Sequence, residues 1–264
     1  MGGITRLLLL LWAGVTVSTV VDLQKRIIGG RTCGQNERPY HVRLRITNGA
    51  HSGFCGGSLI NNQWILTAAH CQKPGRTMYA TLGVHPGPGQ TVQITAPPVI
   101  YTDNNGARHD IMLLKLPKAT QIQPVPLPDC NNRPRVGDAV QIAGYGAVNA
   151  GHNNKRVPGR ANTLQCADTT VVDCQRLRDL KVSENSPRLS HYWFCGQRAG
   201  VDTCPGDSGG GVVYHGKIYG VHSFTGDPDY ACQEAAGFMD VCAYIRWIRD
   251  TIKKPRRCLN CYRG

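Results

Sequence analysis

The stretch VDTCPGDSGGGV, residues 201–212, places Ser208 between an aspartate and three glycines, six residues after another aspartate. The glycines allow a tight turn in which neighbouring backbone N–H groups point at one spot. A serine hydroxyl in such a turn is a candidate nucleophile, although it needs a base within hydrogen-bond reach. Asp202 and Asp207 raise a second question, because a carboxylate is costly to bury unless it is paired.

Two further motifs supply the partners that a serine nucleophile needs. His70 lies in LTAAHC (66–71) and is the candidate base, and Asp110 lies in HDIMLL (109–114) and is the candidate orienting carboxylate. A lone histidine is more often structural than catalytic. The joint occurrence of His, Asp and Ser in three such motifs indicates nucleophilic catalysis.

The rest of the chain has the pattern of short strands. Runs such as HVRLRI, WILTAA, YATLGV and AVQIAGYG are separated by clusters of Gly, Pro, Asn and Asp, which predicts an all-β barrel or sandwich. One helix is predicted near the end, where Ile245, Ile248 and Ile252 recur at spacings of three and four. The basic segment HNNKRVPGRAN (152–162) is predicted to be an exposed loop.

The motifs IIGG, LTAAHC, DIMLLKL and GDSGGGV together resemble the trypsin-like serine proteases. The resemblance covers nearly the whole chain from residue 27 to residue 252. It implies an all-β fold of two antiparallel six-stranded β-barrels and a short C-terminal helix, with the active site in the cleft between the barrels. The first barrel would span about residues 27–124 and the second about residues 125–252.

In this family the cleft holds a Ser-His-Asp triad. By resemblance, Ser208 attacks the scissile carbonyl, His70 transfers the proton and Asp110 orients the imidazole. The backbone N–H groups of Gly206 and Ser208 would form the oxyanion hole. The resemblance implies no cofactor. We also predict no metal, because the stretch GVHPGPGQTVQ (83–93), which matches the calcium loop of trypsins, has no carboxylate.

Twelve cysteines indicate an oxidising compartment and a disulfide framework. The resemblance pairs ten of them, as Cys33–Cys166, Cys55–Cys71, Cys130–Cys242, Cys174–Cys195 and Cys204–Cys232. Cys258 and Cys261 are left over in a basic tail, residues 253–264, that the family pattern does not cover. They pair either with each other or with another chain.

The first residues have the features of a secretory signal peptide. Arg6 precedes the apolar run from Leu7 to Val17, which is shorter than the ~20 residues that a bilayer-spanning helix needs. We predict a signal peptide over residues 1–18 and an activation propeptide over residues 19–26. The protein is then expected to be secreted and extracellular, without a transmembrane segment.

The resemblance also implies that the chain is made as a zymogen. Cleavage between Arg26 and Ile27 would free the Ile27 amino group, which would pair with Asp207 in the second barrel. Leaving one member of such a dry ion pair without its partner costs about 3–5 kcal/mol. The uncleaved chain is therefore expected to be inactive.

Asp202 matches the floor of the primary specificity pocket of trypsins, where it would pair with substrate Arg or Lys. The other residues expected to bind substrate are Thr203, Ser223, Phe224, Thr225 and Gly237. Thr225, Met239 and Pro205 depart from the trypsin pattern. The resemblance therefore predicts cleavage after Arg or Lys and leaves its efficiency open.

The formal net charge of +13 is compatible with affinity for glycosaminoglycans or other polyanions. The alternative to an active protease is a catalytically weak or dead relative that acts as a basic polyanion-binding or antimicrobial protein. As a protease, the chain would have protein or peptide substrates and proteinaceous protease inhibitors as partners. We expect no specific nucleic-acid partner, and we expect a monomer.

Overall fold

The computed structural model describes residues 27–146, 150–157 and 159–253. The predicted signal peptide and propeptide lie outside these residues, and so do Arg26, Cys258 and Cys261. Strands predominate along the described chain, and short helices separate only some of them. No helix within these residues is long and apolar enough to cross a membrane.

Fourteen strands make up most of the regular structure in the described part of the chain. In chain order they are β1 (Arg31–Thr32), β2 (His41–Thr47), β3 (Ser52–Leu59), β4 (Trp64–Thr67), β5 (Thr77–Leu82), β6 (Gln90–Ile94), β7 (Val99–Thr102), β8 (Arg108–Lys115), β9 (Ala139–Gly144), β10 (Gln165–Val172), β11 (Trp193–Gln197), β12 (Gly211–Tyr214), β13 (Lys217–Phe224) and β14 (Ala236–Asp240). The helices are α1 (Gln175–Ser183), α2 (Ile245–Lys253) and the 3-10 helices Ala69–Cys71, His152–Asn154 and Pro187–Ser190.

The strands form two antiparallel seven-stranded sheets, which confirms the all-β architecture of two barrel-like units. The first has the order β6-β5-β2-β3-β4-β8-β7, and the second has the order β1-β10-β11-β14-β13-β12-β9. Pairing of β9 with β10 closes six strands of the second sheet into a barrel, and β1 is added to β10. The first sheet exceeds the predicted six strands because Pro97 and Pro98, which have no N–H to donate, separate β6 from β7.

Apolar side chains fill the interior of both sheets. Leu44, Leu66 and Leu113 are fully buried in the first sheet, whereas Val212 and Phe238 belong to a buried cluster of the second. Burial of one such side chain stabilises the fold by about 1.5–3 kcal/mol. This packing fixes the strands and turns that carry the candidate functional residues.

The predicted C-terminal helix is confirmed as α2. Ile248 is buried and Ile252 packs against the core, while Arg246 and Arg249 are exposed. Helix α1 was not expected from the sequence, since the only apolar side chain that it buries is Leu177.

Candidate active site

The structure brings His70 and Asp110 into direct contact. His70 lies in the 3-10 helix after β4, and Asp110 lies in β8. One carboxylate oxygen of Asp110 is 2.8 Å from Nδ1 of His70, and the other accepts the backbone N–H of His70 at 2.8 Å. Ser223 donates its hydroxyl hydrogen to the same carboxylate. Asp110 therefore fixes both the ring and the backbone of His70.

The environment of Asp110 favours its ionised form. Burial alone would raise the pKa of Asp110, but the hydrogen bond and charge of His70, together with the bond from Ser223, hold that pKa below its ordinary value. An ionised carboxylate in this position stabilises the imidazolium that forms when the histidine accepts a proton. The pair thus has the geometry and the charge of a base with its orienting group.

Ser208 lies beside the loop that carries His70. The Ser208 carbonyl accepts the Gly56 N–H at 2.7 Å and is 3.9 Å from Sγ of Cys71. The disulfide Cys55–Cys71 braces that loop. Among the described residues, the hydroxyl of Ser208 makes no hydrogen bond, either to His70 or to another group. Such a contact is often long without substrate and shortens in the reacting complex.

The turn that contains Ser208 presents two backbone donors without partners. Neither the Gly206 N–H nor the Ser208 N–H donates a hydrogen bond within the described chain. The turn is held by the Asp207 N–H on the Cys204 carbonyl, at 3.0 Å, and by the Gly210 N–H on the Asp207 carbonyl, at 2.9 Å. Gly206 has φ of +107°, which side chains of the L configuration rarely adopt. The two free donors are suited to a developing oxyanion.

Asp207 is a buried carboxylate that accepts the backbone N–H groups of Gly146 and Cys204, at 2.7 and 2.8 Å. Within residues 27–146, 150–157 and 159–253, no side-chain cation lies within ion-pair distance of it. Burial raises the pKa of Asp207 to about 6, although the two backbone bonds oppose that rise. Asp207 therefore lacks a side-chain counter-charge in the described chain.

The segment around Ile27 is docked on the second sheet. The Ile27 side chain is 0% exposed and packs in a cluster with Val140, Ile142 and Phe238. The next residue, Ile28, accepts the Asp202 N–H at 3.0 Å. The residue that cleavage after position 26 would make N-terminal is thus held against the sheet that carries the candidate nucleophile.

Asp202 forms a buried ion pair with Arg156. Nη2 of Arg156 donates to Oδ2 of Asp202 at 2.6 Å, and the two side chains are 8% and 4% exposed. The carboxylate also accepts the N–H groups of Thr203 and Cys232, at 2.7 and 2.8 Å. Burial raises the pKa of Asp202, and the charge of Arg156 opposes part of that rise. Asp202, which was expected to bind a substrate cation, is therefore already paired with Arg156 of the same chain.

The basic segment HNNKRVPGRAN was predicted to be exposed, and this is correct for Lys155 but wrong for the side chain of Arg156. Backbone hydrogen bonds anchor the segment. The Arg156 N–H donates to the Asp229 carbonyl at 2.8 Å, and the Ala231 N–H donates to the Asn154 carbonyl at 2.9 Å. Arg156 is therefore held in place by the chain on either side of Tyr230, as well as by its ion pair.

Four of the five expected disulfides are formed, and they are Cys33–Cys166, Cys55–Cys71, Cys130–Cys242 and Cys174–Cys195. The fifth expectation is wrong in this structure, because Cys204 and Cys232 are free thiols. Nη1 of Arg156 lies 3.8 Å from Sγ of Cys204, while Asp202 binds the backbone of Cys232. The ion pair thus contacts the sulfur of Cys204 and the backbone of Cys232.

A cavity of about 400 Å³ opens beside Ser208, and Thr225 is among its lining residues whereas Asp202 is not. His222 also lines this cavity, and its Nε2 is 2.8 Å from the Thr203 hydroxyl. Burial lowers the pKa of His222 to about 3, so its ring is neutral. The neutral imidazole of His222 therefore lines the cavity, whereas the Asp202 carboxylate does not.

Two more of the expected pocket residues contact each other. The ring of Phe224 packs so closely on Gly237 that a Cβ at position 237 would collide with it. The cations of Lys181 and Arg188 lie 5.5 and 5.3 Å from the Phe224 ring centroid. Met239 is fully buried in β14, away from solvent. The sequence did not predict a role for His222, Lys181, Arg188 or the ion pair of Arg156.

Two groups of potential metal ligands lie close together among the described residues. One contains His70 and the other Glu37, but the two cysteines of each group form a disulfide with each other. A metal needs the thiolate form of cysteine, so these sulfurs are not available as ligands.

The two sheets and the Asp-His pair beside a serine turn have the arrangement of the trypsin-like serine protease fold. A family model described as Trypsin matches residues 27–248, and the chain belongs to this family of serine proteases. Kallikrein-15 of Saguinus oedipus is 33% identical over 268 residues, which cover 94% of this chain and 99% of the relative. Trypsin of Xenopus laevis is 34% identical over 264 residues, which cover 93% of this chain and 98% of the relative.

Solved structures show the same fold. Neuropsin, a serine protease expressed in the limbic system of mouse brain, is similar with a TM-score of 0.65 at 29% identity, over 84% of this chain and 98% of that one. A scabies mite inactivated protease paralogue, S-I1, has a TM-score of 0.66 at 28% identity, over 86% of this chain and 99% of that one. Both similarities extend over most of the described protein.

Proposed function

We propose that this protein is a secreted serine endopeptidase, made as a zymogen that is activated by cleavage after Arg26. The observation that carries the proposal is the Asp110 carboxylate, which binds both the ring and the backbone N–H of His70. Beside this pair, the turn at Ser208 offers two unpaired backbone donors. A base, its orienting group and an anion-binding turn are the parts that acyl transfer requires.

In the proposed reaction, Oγ of Ser208 attacks the scissile carbonyl carbon while Nε2 of His70 takes the hydroxyl proton. The N–H groups of Gly206 and Ser208 would bind the oxyanion, and loss of one such donor typically costs ~3 kcal/mol. His70 then gives the proton to the leaving amine, and the C–N bond breaks. Water attacks the acyl-enzyme by the same route, which releases the acid and returns the proton to Ser208.

The zymogen part of the proposal is supported by the isolation of Asp207. A freed α-amino group at Ile27 would supply the cation that the described side chains do not. The pair would then stabilise the turn of the nucleophile. The uncleaved chain is expected to hydrolyse a peptide ester far more slowly than the cleaved chain, and equal rates would contradict the proposal.

The proposed specificity is for Arg or Lys whenever Asp202 is not bound to Arg156. A basic substrate side chain would bind to the Asp202 carboxylate, and Thr203 is the next residue in the chain. Thr225 lines the cavity beside Ser208. Phe224 also lines this cavity, whereas Ser223 and Gly237 do not. We propose that Ser223 and Gly237, which lie on the neighbouring strands β13 and β14, support the walls from behind.

The proposal also includes secretion and a single peptidase domain over residues 27–252, divided into two barrels near residue 124. Residues 27–32 are an exception to the predicted first barrel, because Ile27 and β1 pack on the second sheet. Four disulfides support an oxidising environment. Protein or peptide substrates follow from the chemistry. Proteinaceous inhibitors, a monomeric state and affinity for glycosaminoglycans remain proposals, the last of them supported by the net charge of +13.

Labelling of Ser208 by a fluorophosphonate tests the chemistry. The cleaved protein is expected to lose activity in proportion to labelling, and the Ser208→Ala variant is the matched control. Absence of labelling in the folded, cleaved protein would exclude the proposed reaction.

A second candidate function is that of a catalytically weak or dead relative that binds polyanions. It is favoured by the missing hydrogen bond of the Ser208 hydroxyl and by the occupied carboxylate of Asp202. One of the solved structures with a similar fold is that of an inactivated protease paralogue. Heparin binding that persists in Ser208→Ala, together with no fluorophosphonate labelling of the wild type, would select this candidate.

A further inference from the structure

We propose that Arg156 is a specificity-determining residue that acts as an internal ligand of Asp202 and closes this carboxylate to substrate Arg and Lys. The inference deepens the proposed function and rests on it, because it concerns peptide hydrolysis at Ser208. It assigns to the basic segment around Arg156 a role in substrate selection.

Arg156 makes the contacts that a bound substrate guanidinium would need. Its Nη2 donates to Asp202 at 2.6 Å, its Nη1 donates to the Thr203 carbonyl at 2.7 Å, and its Nε donates to the Asp227 carbonyl at 3.0 Å. All three nitrogens of the planar fork therefore have an oxygen acceptor. Such matched geometry is the reason why arginine is preferred for buried pairs with carboxylates.

The ion pair is not a surface contact that solvent screens. The side chains of Arg156 and Asp202 are 8% and 4% exposed, and exposed pairs are the ones that water and salt weaken. The backbone bonds to Asp229 and Ala231 hold the segment in place. A tethered ligand competes at a high effective concentration without losing translational freedom, so a free substrate cation is at a disadvantage.

The space beside Ser208 leads to a different environment. Its lining includes His222 and Phe224, whereas Asp202 lies outside it. Lys181 also lines this cavity, but Glu184 neutralises it through bonds of 2.8 and 2.9 Å. Arg188 also lines the cavity, and its guanidinium has no ion-pair partner among the described residues. This cation, together with the aromatic ring and the neutral imidazole, disfavours a basic substrate side chain. The folded protein therefore has a specificity opposite to that expected from Asp202 alone.

The test compares two substrates that differ only in charge. Peptide p-nitroanilides with Lys or norleucine before the scissile bond have similar stems, but only Lys has the ammonium group. The cleaved wild type is expected to prefer norleucine. Arg156→Met keeps a long unbranched side chain without charge and is expected to favour Lys by at least tenfold. Lys155→Met removes an exposed positive charge one residue earlier and is the matched control.

The higher kcat/KM of Arg156→Met for the Lys substrate should come from a lower KM, with kcat nearly unchanged. The reason is that an internal competitor reduces the fraction of molecules that accept the substrate. Arg156→Lys, which keeps the charge, is expected to restore the preference of the wild type in part. A tenfold preference of the wild type for Lys, or an unchanged ratio in Arg156→Met, would overturn the inference. The wild-type ratio alone decides the matter where the variant does not fold.

Labelling of Ser208 by diisopropyl fluorophosphate separates this inference from the proposed function, since that reagent needs no basic group. Where labelling fails, the endopeptidase proposal fails, and fluorescence titration with p-aminobenzamidine still tests Arg156. The amidinium probe should bind Arg156→Met at least tenfold more tightly than the wild type. Equal affinities would refute the role of Arg156 whatever the activity.

Discussion

Ionisation of Asp207 is expected to destabilise the uncleaved chain as the pH rises from 4 to 7. The carboxylate is buried, accepts two backbone N–H groups and has no side-chain cation at ion-pair distance among the described residues. Burial raises its pKa from 3.8 to about 6. In the interval between these values the folded protein retains a proton that the unfolded chain releases, so that stability falls with pH. The full difference between the two pKa values corresponds to a change of about 3 kcal/mol in the free energy of unfolding.

The assay is urea unfolding of the uncleaved protein at pH 4, 5, 6 and 7. A Ser208→Ala background prevents self-digestion. Other groups titrate in the same range, so the informative quantity is the difference between this protein and its Asp207→Asn variant. That difference should change by about 3 kcal/mol in favour of the variant between pH 4 and pH 7. Asp168→Asn, the same change at an exposed position of β10, is the control.

Cleavage after Arg26 should reverse the effect. The freed ammonium of Ile27 would pair with the Asp207 carboxylate, and the charged form of Asp207 would then be the favoured one. At pH 7 the cleaved protein should lose stability on Asp207→Asn. In the uncleaved protein the same substitution should cost less stability at pH 7 than at pH 4. Parallel pH profiles of the parent protein and Asp207→Asn in the uncleaved state would refute the account of Asp207 as an unpaired carboxylate.

Three further predictions concern the site and its surroundings. Ser223→Ala removes a hydrogen bond to the ionised Asp110 and should lower kcat about tenfold with little change in KM, as measured on a peptide amide, and an unchanged kcat would contradict the role of that bond. Cys204 and Cys232 should be alkylated by iodoacetamide in denaturant without reductant, and peptide mapping would detect the alkylated cysteines. Alkylation of these two cysteines only after reduction would instead show that they form a disulfide. Gly237→Ala should destabilise the protein by about 1–3 kcal/mol in urea unfolding, because its methyl group overlaps the aromatic ring packed there.

The parts of the site that the sequence predicted are those whose chemistry restricts the residue type. His70 and Asp110 lie in contact, as their motifs indicated, because a base and its orienting carboxylate leave few alternatives. The apolar stripe of Ile248 and Ile252 likewise predicted α2, since helical spacing determines which face is buried. In both cases the residues that determine the structure lie in short sequence motifs, so the sequence alone was enough to predict it.

The ion pair of Arg156 had no such local signal. It joins side chains 46 residues apart in the chain, and a single arginine in a basic loop is usually solvated. His222 was missed for a related reason, because a polar residue inside an apolar strand needs a partner, and its partner Thr203 lies on a different segment. The free thiols of Cys204 and Cys232 lie in the same region, where the guanidinium is beside the sulfur of Cys204. These contacts join distant segments, so the local sequence pattern did not indicate them.

The buried carboxylates of the site differ in their partners. Asp110 is hydrogen-bonded to His70 and Ser223, whereas Asp202 forms an ion pair with Arg156. Asp207 has only backbone donors. A new cation produced by cleavage after residue 26 would therefore act on Asp207 and leave the pair at Asp202 intact. An activated molecule would then be able to carry out acyl transfer while still rejecting basic side chains, so the two proposed controls must be measured independently.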